Sequence, residues 1–208
     1  LIDGSAKYNE GGFVEAFEAL ARWQPYMANG YQAVTYPDAQ NLFTLGLAAV
    51  YPTGSWEIGI FNTQADFAMG IFTPPVPEGA ETCYISDHTD IAMGLNAASP
   101  NAEAGKIFLE WMTSQEFAEL YTNQLPGFFT LSNHDISVDD PIAAEFLGWR
   151  GECESTIRTA YQILSRGEPN NESDLWLYSA QVLNGEMTPQ EAADAVQAGL
   201  EAWYEPQQ

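Results

Sequence analysis

Basic residues are the scarcest feature of this sequence: 208 residues carry six Lys and Arg and two His against 29 Asp and Glu, a formal net charge of −23. A field of that sign repels phosphate backbones and anionic lipid, which excludes nucleic acid and a membrane surface as partners. The acids are spread along the chain with no block of five or six, so they read as a solvated surface suited to a salty medium. Long apolar runs are also lacking, and nothing approaches the roughly 20 residues needed to span a bilayer. Cysteine is nearly absent. Cys83 and Cys153 are too few for a disulfide scaffold or a zinc site of Cys-x-x-Cys type, and two readings stay open: a bridge closing a long loop in an oxidising compartment, or two buried free thiols.

Catalytic signatures are missing as well. There is no Ser nucleophile elbow, P-loop or dinucleotide-binding glycine fingerprint, and Asp and Glu are too abundant for one carboxylate pair to stand out. No enzyme is expected, and no cofactor. A metal is not expected either, because Asp87, His88 and Asp90 supply one His and two nearby carboxylates, a weak donor set. Two other classes remain as alternatives: a carbohydrate-active hydrolase using paired carboxylates, and a ligand-free interaction module. Tryptophan quenching by a sugar library without turnover separates a binder from both. The chain opens at Leu1 with no initiator Met and no charged-then-apolar leader, so no signal peptide is visible in it, and it reads as a processed protein or a fragment.

What is present is a globular composition, 46% hydrophobic and 13% aromatic, in a chain long enough for one large or two small cores. Phe13, Phe17, Leu20, Ala21 and Met27 predict a helix over 12–29 that Pro25 kinks and Gly30 ends. Residues 36–38 read as a turn. The organising stretch is 41–56: Leu42, Phe43, Leu45 and Leu47 mix helical spacing with an apolar run, Gly46 breaks the helix, and Ala48 to Tyr51 read as a buried strand. Pro52, Gly54 and Ser55 then turn the chain, with Ser55 placed to cap a helix from Trp56 to about Asn62. That geometry sets free backbone N–H groups beside an aromatic face; the competing reading is an ordinary turn with a packed tryptophan.

Alternation of Phe67, Met69 and Ile71 predicts a strand over 66–73, halted by Pro74, Pro75 and Pro77. Two further strands, 82–86 and 91–97, flank the polar Asp87, His88, Thr89 and Asp90, which look like a crossing between two bodies. Ser99 and Pro100 open a helix whose apolar face is Ile107, Phe108, Trp111 and Met112. Trp23, Trp111 and Trp203 sit on helical stripes and read as core. Helices follow over 114–123, 141–149, through Ile157, Tyr161 and Leu164 to Gly167, and from the loop 168–173 to Gly185. The last begins with the capping box Thr188 to Glu191 and buries Ala192, Ala195, Val196, Gly199 and Trp203.

Taken in order, Phe43 through Gly46 to Ala49, Gly54 to Trp56, Phe72 to Pro75, Gly94 to Asn101, the helix ending Phe108 to Ser114, the loop at Gly127, and Val182 to Gly185 with Thr188 to Ala192 resemble the extracellular solute-binding proteins of ABC importers, in their maltose-binding-protein-like, carbohydrate-binding branch. The resemblance implies an α/β fold of type II periplasmic-binding topology, helix-rich, with two lobes joined by hinge crossings and most of the first lobe lacking. It assigns residues 1–86 and 138–208 to the second lobe and 87–137 to an excursion into the first. It implies capture of a neutral sugar, oligosaccharide or polyol by lobe closure, ABC permease subunits as partners, a monomer, and a periplasmic or cell-surface location in which both cysteines meet oxidising conditions. Site residues carried over are Trp56 and Trp176 as stacking faces, Ser55 beside the first, Phe128 in the Gly127 loop, and Asp87, His88 and Asp90 at the hinge, where the family commonly has small residues. Arg150, Arg158 and Arg166 cluster in sequence and either offset carboxylates or reach the ligand.

Overall fold

The computed structural model describes residues 1–76, 78–157 and 160–208. Its secondary structure is mostly helical: α1 Gly12–Ala21, α2 Tyr36–Thr44, α3 Ile58–Gln64, α4 Ala102–Trp111, α5 Gln115–Gln124, α6 Pro141–Glu152, α7 Tyr161–Leu164, α8 Asn171–Leu183 and α9 Pro189–Glu201, with strands β1 Tyr84–Asp87 and β2 Glu154–Ile157. No helix among the described residues is long and apolar enough to cross a membrane. The chain divides into two compact units, residues 1–34 with 160–208 and residues 35–157. Those divisions fall at 34/35 and near 157.

Among its described residues the regular structure of the first unit is all helical. Tyr8, Phe17, Leu164, Val182, Ala192, Ala193, Val196 and Leu200 form one buried cluster between α1, α7, α8 and α9. The capping box is realised: Thr188 accepts from the Glu191 amide, and the Glu191 carboxylate accepts from the Thr188 amide at 2.9 Å. Backbone geometry ends α8 as the sequence anticipates, with Gly185 at φ +73° and paired bonds from Gly185 to Val182 and Glu186 to Gln181, the reciprocal C-terminal motif that favours glycine. Buried Gln197 on α9 ties the termini to the core. Its Oε1 accepts from the Tyr8 amide at 2.9 Å, and its Nε2 donates to Gln207, whose own amide reaches the carbonyls of Leu1 and Ala6. The expected helix over 12–29 splits at Pro25, where residues 24–26 continue as a 3-10 turn. Trp23, expected in the core, is instead half exposed, because the break turns it off the α1 stripe.

The second unit carries the sheet, a parallel pair in the register Tyr84↔Glu154 through Asp87↔Ile157. One position before each strand, Cys83 and Cys153 form a disulfide with Cα atoms 4.9 Å apart, which settles the open question in favour of the bridge. The chain-entropy model gives such a loop, 70 residues in sequence separation, roughly 4 kcal/mol of stabilisation. Ile157, expected in one helix with Tyr161 and Leu164, instead ends the strand that pairs with β1, and α7 shrinks to one turn. The expected strands over 48–51, 66–73 and 91–97 are irregular chain. Phe43, Tyr51, Phe61 and Phe67 explain the first two, since their rings meet one another at centroid distances of 4.8 to 5.9 Å in an aromatic cluster instead of a pleated face. Helix α4 begins three residues after Ser99, and its Ile107 and Phe108 are exposed, so the expected buried stripe is covered only in part, at Met112 and at Trp111, which packs edge-on to Phe117 at 5.0 Å.

Candidate functional site

The stretch before Trp56 is held by local chemistry on both sides. Thr35 and Asp38 form a capping box that starts α2, with Pro37 in its first turn. Gly46, at φ +70°, ends it: the Gly46 amide reaches Phe43 at 2.8 Å and the Leu47 amide reaches Leu42 at 2.9 Å. Gly46 therefore acts as the helix stop expected of it. Beyond Gly54 the chain makes a 3-10 turn, Ser55–Glu57, that leads into α3. Successive residues of this turn point apart, leaving Trp56 44% exposed and Glu57 1% exposed.

Glu57 is the centre of a polar network. Tyr36 Oη donates to Glu57 Oε1, and Gln40 Nε2 donates to Glu57 Oε2 at 2.8 Å. Tyr36 and Gln40 lie four apart on α2 and so share one face. Trp56 Nε1 in turn donates to Tyr36 Oη at 2.8 Å. Desolvation and then the hydrogen bond to the Glu57 carboxylate hold the Tyr36 hydroxyl above its ordinary pKa, so it stays a donor at neutral pH. Tyr51 is raised likewise, by burial first and then by Tyr36 and Glu57.

Ser55 does not cap α3; its hydroxyl donates to the Gly127 carbonyl at 2.6 Å. Gly127 is indispensable to this approach. At φ +95° it has the left-handed backbone, and a Cβ there would come within 1.8 Å of the Ser55 carbonyl oxygen. Phe128 follows, half-buried, with its amide on the Leu125 carbonyl at 2.9 Å. Ser55, Trp56 and Phe128 are thus brought to one neighbourhood within the second unit.

Asp87 closes β1 and accepts from Arg150 Nε at 3.0 Å. Arg150 thereby offsets a carboxylate and also lines a half-open hollow of about 250 Å³ with Phe129, Thr130, Ser132, His134 and Leu147. His88 is half-buried and Asp90 exposed in the irregular chain after β1. Among the described residues no group of His, Cys, Asp and Glu is arranged to hold a metal. Trp176 belongs to the first unit, on α8, and is 73% exposed. Arg150 and Arg166 fall in different units, while Arg158 and Pro77 lie outside the described residues. Sequence reasoning missed Tyr36, Gln40 and Glu57. The signal was there in Thr35, Pro37 and Asp38, a helix start that was read as a turn and that puts Tyr36 and Gln40 on one face.

Residues 2–144 match the family model described as bacterial extracellular solute-binding protein. The match takes in Trp56, Phe128, Asp87, His88 and Asp90 but not Trp176. No curated protein matches the chain.

Proposed function

The chain belongs to the bacterial extracellular solute-binding proteins, whose part is to capture a solute outside the cell for an ABC importer, and from that premise we propose that its solute is a neutral sugar, oligosaccharide or polyol. The observation that carries this reading is Trp56: a large aromatic ring, close to half exposed, held by a hydrogen bond on its only polar atom. A flat apolar face fixed in that way suits the C–H side of a pyranose. Trp176, the most exposed tryptophan among the described residues, is assigned the second stacking face, and Ser55, Phe128, Asp87, His88 and Asp90 the flanking contacts. The net charge of −23 disfavours a polyanionic ligand.

The same proposal keeps the maltose-binding-protein-like topology, with residues 87–137 serving the first lobe and 1–86 and 138–208 the second. Closure of two lobes on a ligand follows if the ligand gains contacts in the closed state that the open state lacks. A permease then receives the closed form at the cell surface or in the periplasm. A thermal-shift screen of sugars, polyols, peptides, amino acids and metal ions tests the solute class. Stabilisation by a sugar or polyol is expected; a best hit that is a peptide, an amino acid or a metal ion overturns the assignment.

A further inference from the structure

Glu57 is a buried carboxylate without a cation: it is 1% exposed, and among the described residues its oxygens accept from Tyr36 and Gln40, both neutral. Burying a carboxylate on neutral donors is unfavourable unless those bonds are well made, so its retention beside the most exposed aromatic of the turn calls for a role. We propose that Glu57 and Tyr36 are positioning residues for the Trp56 face, and that through them Trp56 meets its ligand by the ring face alone. The inference rests on the reading of Trp56 as a stacking residue.

The relay runs in one direction. A phenol has one proton to give, and Tyr36 gives it to Glu57. Its oxygen is left as an acceptor and takes the Trp56 indole N–H at 2.8 Å, with the Thr53 and Tyr51 hydroxyls also in hydrogen-bond reach of it. Polarisation by the carboxylate strengthens that second bond. The indole is also held at its other end. A Cβ on Gly54 would come within 2.1 Å of Trp56 Cζ3 and 2.4 Å of Cη2, so the benzo edge lies directly over the Gly54 backbone. With the pyrrole N–H spent on Tyr36 and the benzo edge on Gly54, neither Trp56 nor Tyr36 has a proton to offer a ligand. Both present apolar surface, Tyr36 itself being 54% exposed. Hydroxyl partners for a sugar must come from other residues, and this patch selects a ligand with a flat C–H face.

The test starts without any ligand, in the ¹H–¹⁵N spectrum of the indole N–H groups, with the Trp56 peak assigned by its loss in Trp56→Phe. In the wild type that proton should exchange with solvent roughly tenfold more slowly than in Tyr36→Phe. Glu57→Gln, nearly isosteric, should move the Trp56 peak and speed its exchange in the wild-type background but have no such effect in the Tyr36→Phe background, because Glu57 acts through Tyr36. An equal effect of Glu57→Gln in both backgrounds, or an unprotected Trp56 N–H in the wild type, overturns the relay. Should Tyr36→Phe fail to fold, Glu57→Gln alone decides: the Trp56 peak moves with circular dichroism unchanged, or the relay is wrong. D-glucose, maltose and D-mannitol are then added as probes. A bound sugar should shift Trp56 ring protons while leaving its N–H in the hydrogen-bonded position, and an N–H that moves to a new bonded position overturns the ring-face contact. Absence of binding by every probe counts against the stacking reading, whereas the ligand-free spectra judge the relay independently.

Discussion

The two compact units are held together by different means. In the first, α1, α7, α8 and α9 surround a single cluster in which Leu164, Val182, Val196 and Leu200 are essentially inaccessible. In the second, buried apolar residues are scattered: Ile58 and Phe61 on α3, Ala118 on α5, Ala143 on α6. There the chain relies on the disulfide at the head of the sheet, the aromatic cluster of Phe43, Tyr51, Phe61 and Phe67, and the Glu57 network. Large apolar side chains such as Leu45, Leu47, Phe72, Ile91, Ile107 and Leu131 remain exposed in that unit. At Trp56 an aromatic side chain is left at the surface of this unit and polar groups orient it, a combination that suits a binding face. The well-filled cluster of the first unit supplies stability, and the exposed Trp176 of that unit stands outside it.

The largest effect is expected where the second unit depends on one covalent bond. Replacing both Cys83 and Cys153 by Ser should lower the unfolding free energy by about 4 kcal/mol, read as a shift of the urea midpoint. Amides of β1 and β2 should lose hydrogen-exchange protection first. An unchanged midpoint would mean that the second unit has a sufficient core after all. Next is the first unit: Leu200→Ala, at a position with 0% exposure, should cost about 3 kcal/mol through the cavity it leaves. A loss under 1 kcal/mol would show that α9 repacks freely and that the contrast between the units is weaker than drawn.

Smaller effects sharpen the same contrast. Asn170 caps α8 through the Ser173 amide and also donates to the Ser165 carbonyl at 2.7 Å, so Asn170→Ala should destabilise by about 1 kcal/mol. The smallest change is expected from Asp87→Ala, because the Arg150–Asp87 pair is 53% and 31% exposed and solvent screens it; less than about 1 kcal/mol should be lost at physiological salt. A thermal-melt comparison of the two variants checks the order.

Legibility of the fold followed the same divide. Helix ends in the first unit were readable because their signals are local: Thr188 to Glu191 closes on itself, Gly185 needs a positive φ, and Pro25 removes a donor. Of the strands expected in the second unit only the run over 82–86 is realised, as β1, because a short apolar run says nothing about its partner. Phe67, Met69 and Ile71 alternate like a strand, yet Phe67 turns to Phe43 in an aromatic cluster. Ile157 shares helical spacing with Tyr161 and Leu164, yet Cys153 is fastened to Cys83, far away in sequence, and the ladder follows. At the candidate site, Trp56 was singled out because an aromatic after Gly54 and Ser55 stands out. Ser55 was read as a helix cap, but its hydroxyl goes to Gly127, a partner across a loop that no local spacing encodes. Glu57 was missed because a single acid among 29 carries no mark of burial.

The central claim is that Trp56, oriented in the second unit, is the face on which a neutral sugar or polyol is captured. Calorimetric titration of the best sugar or polyol from the ligand screen into wild type and Trp56→Ala tests it most directly. Loss of a stacking contact worth about 1–3 kcal/mol should weaken affinity roughly tenfold or more while the thermal midpoint stays within a few degrees. Equal affinities for the two proteins would remove Trp56 from the site and contradict the account.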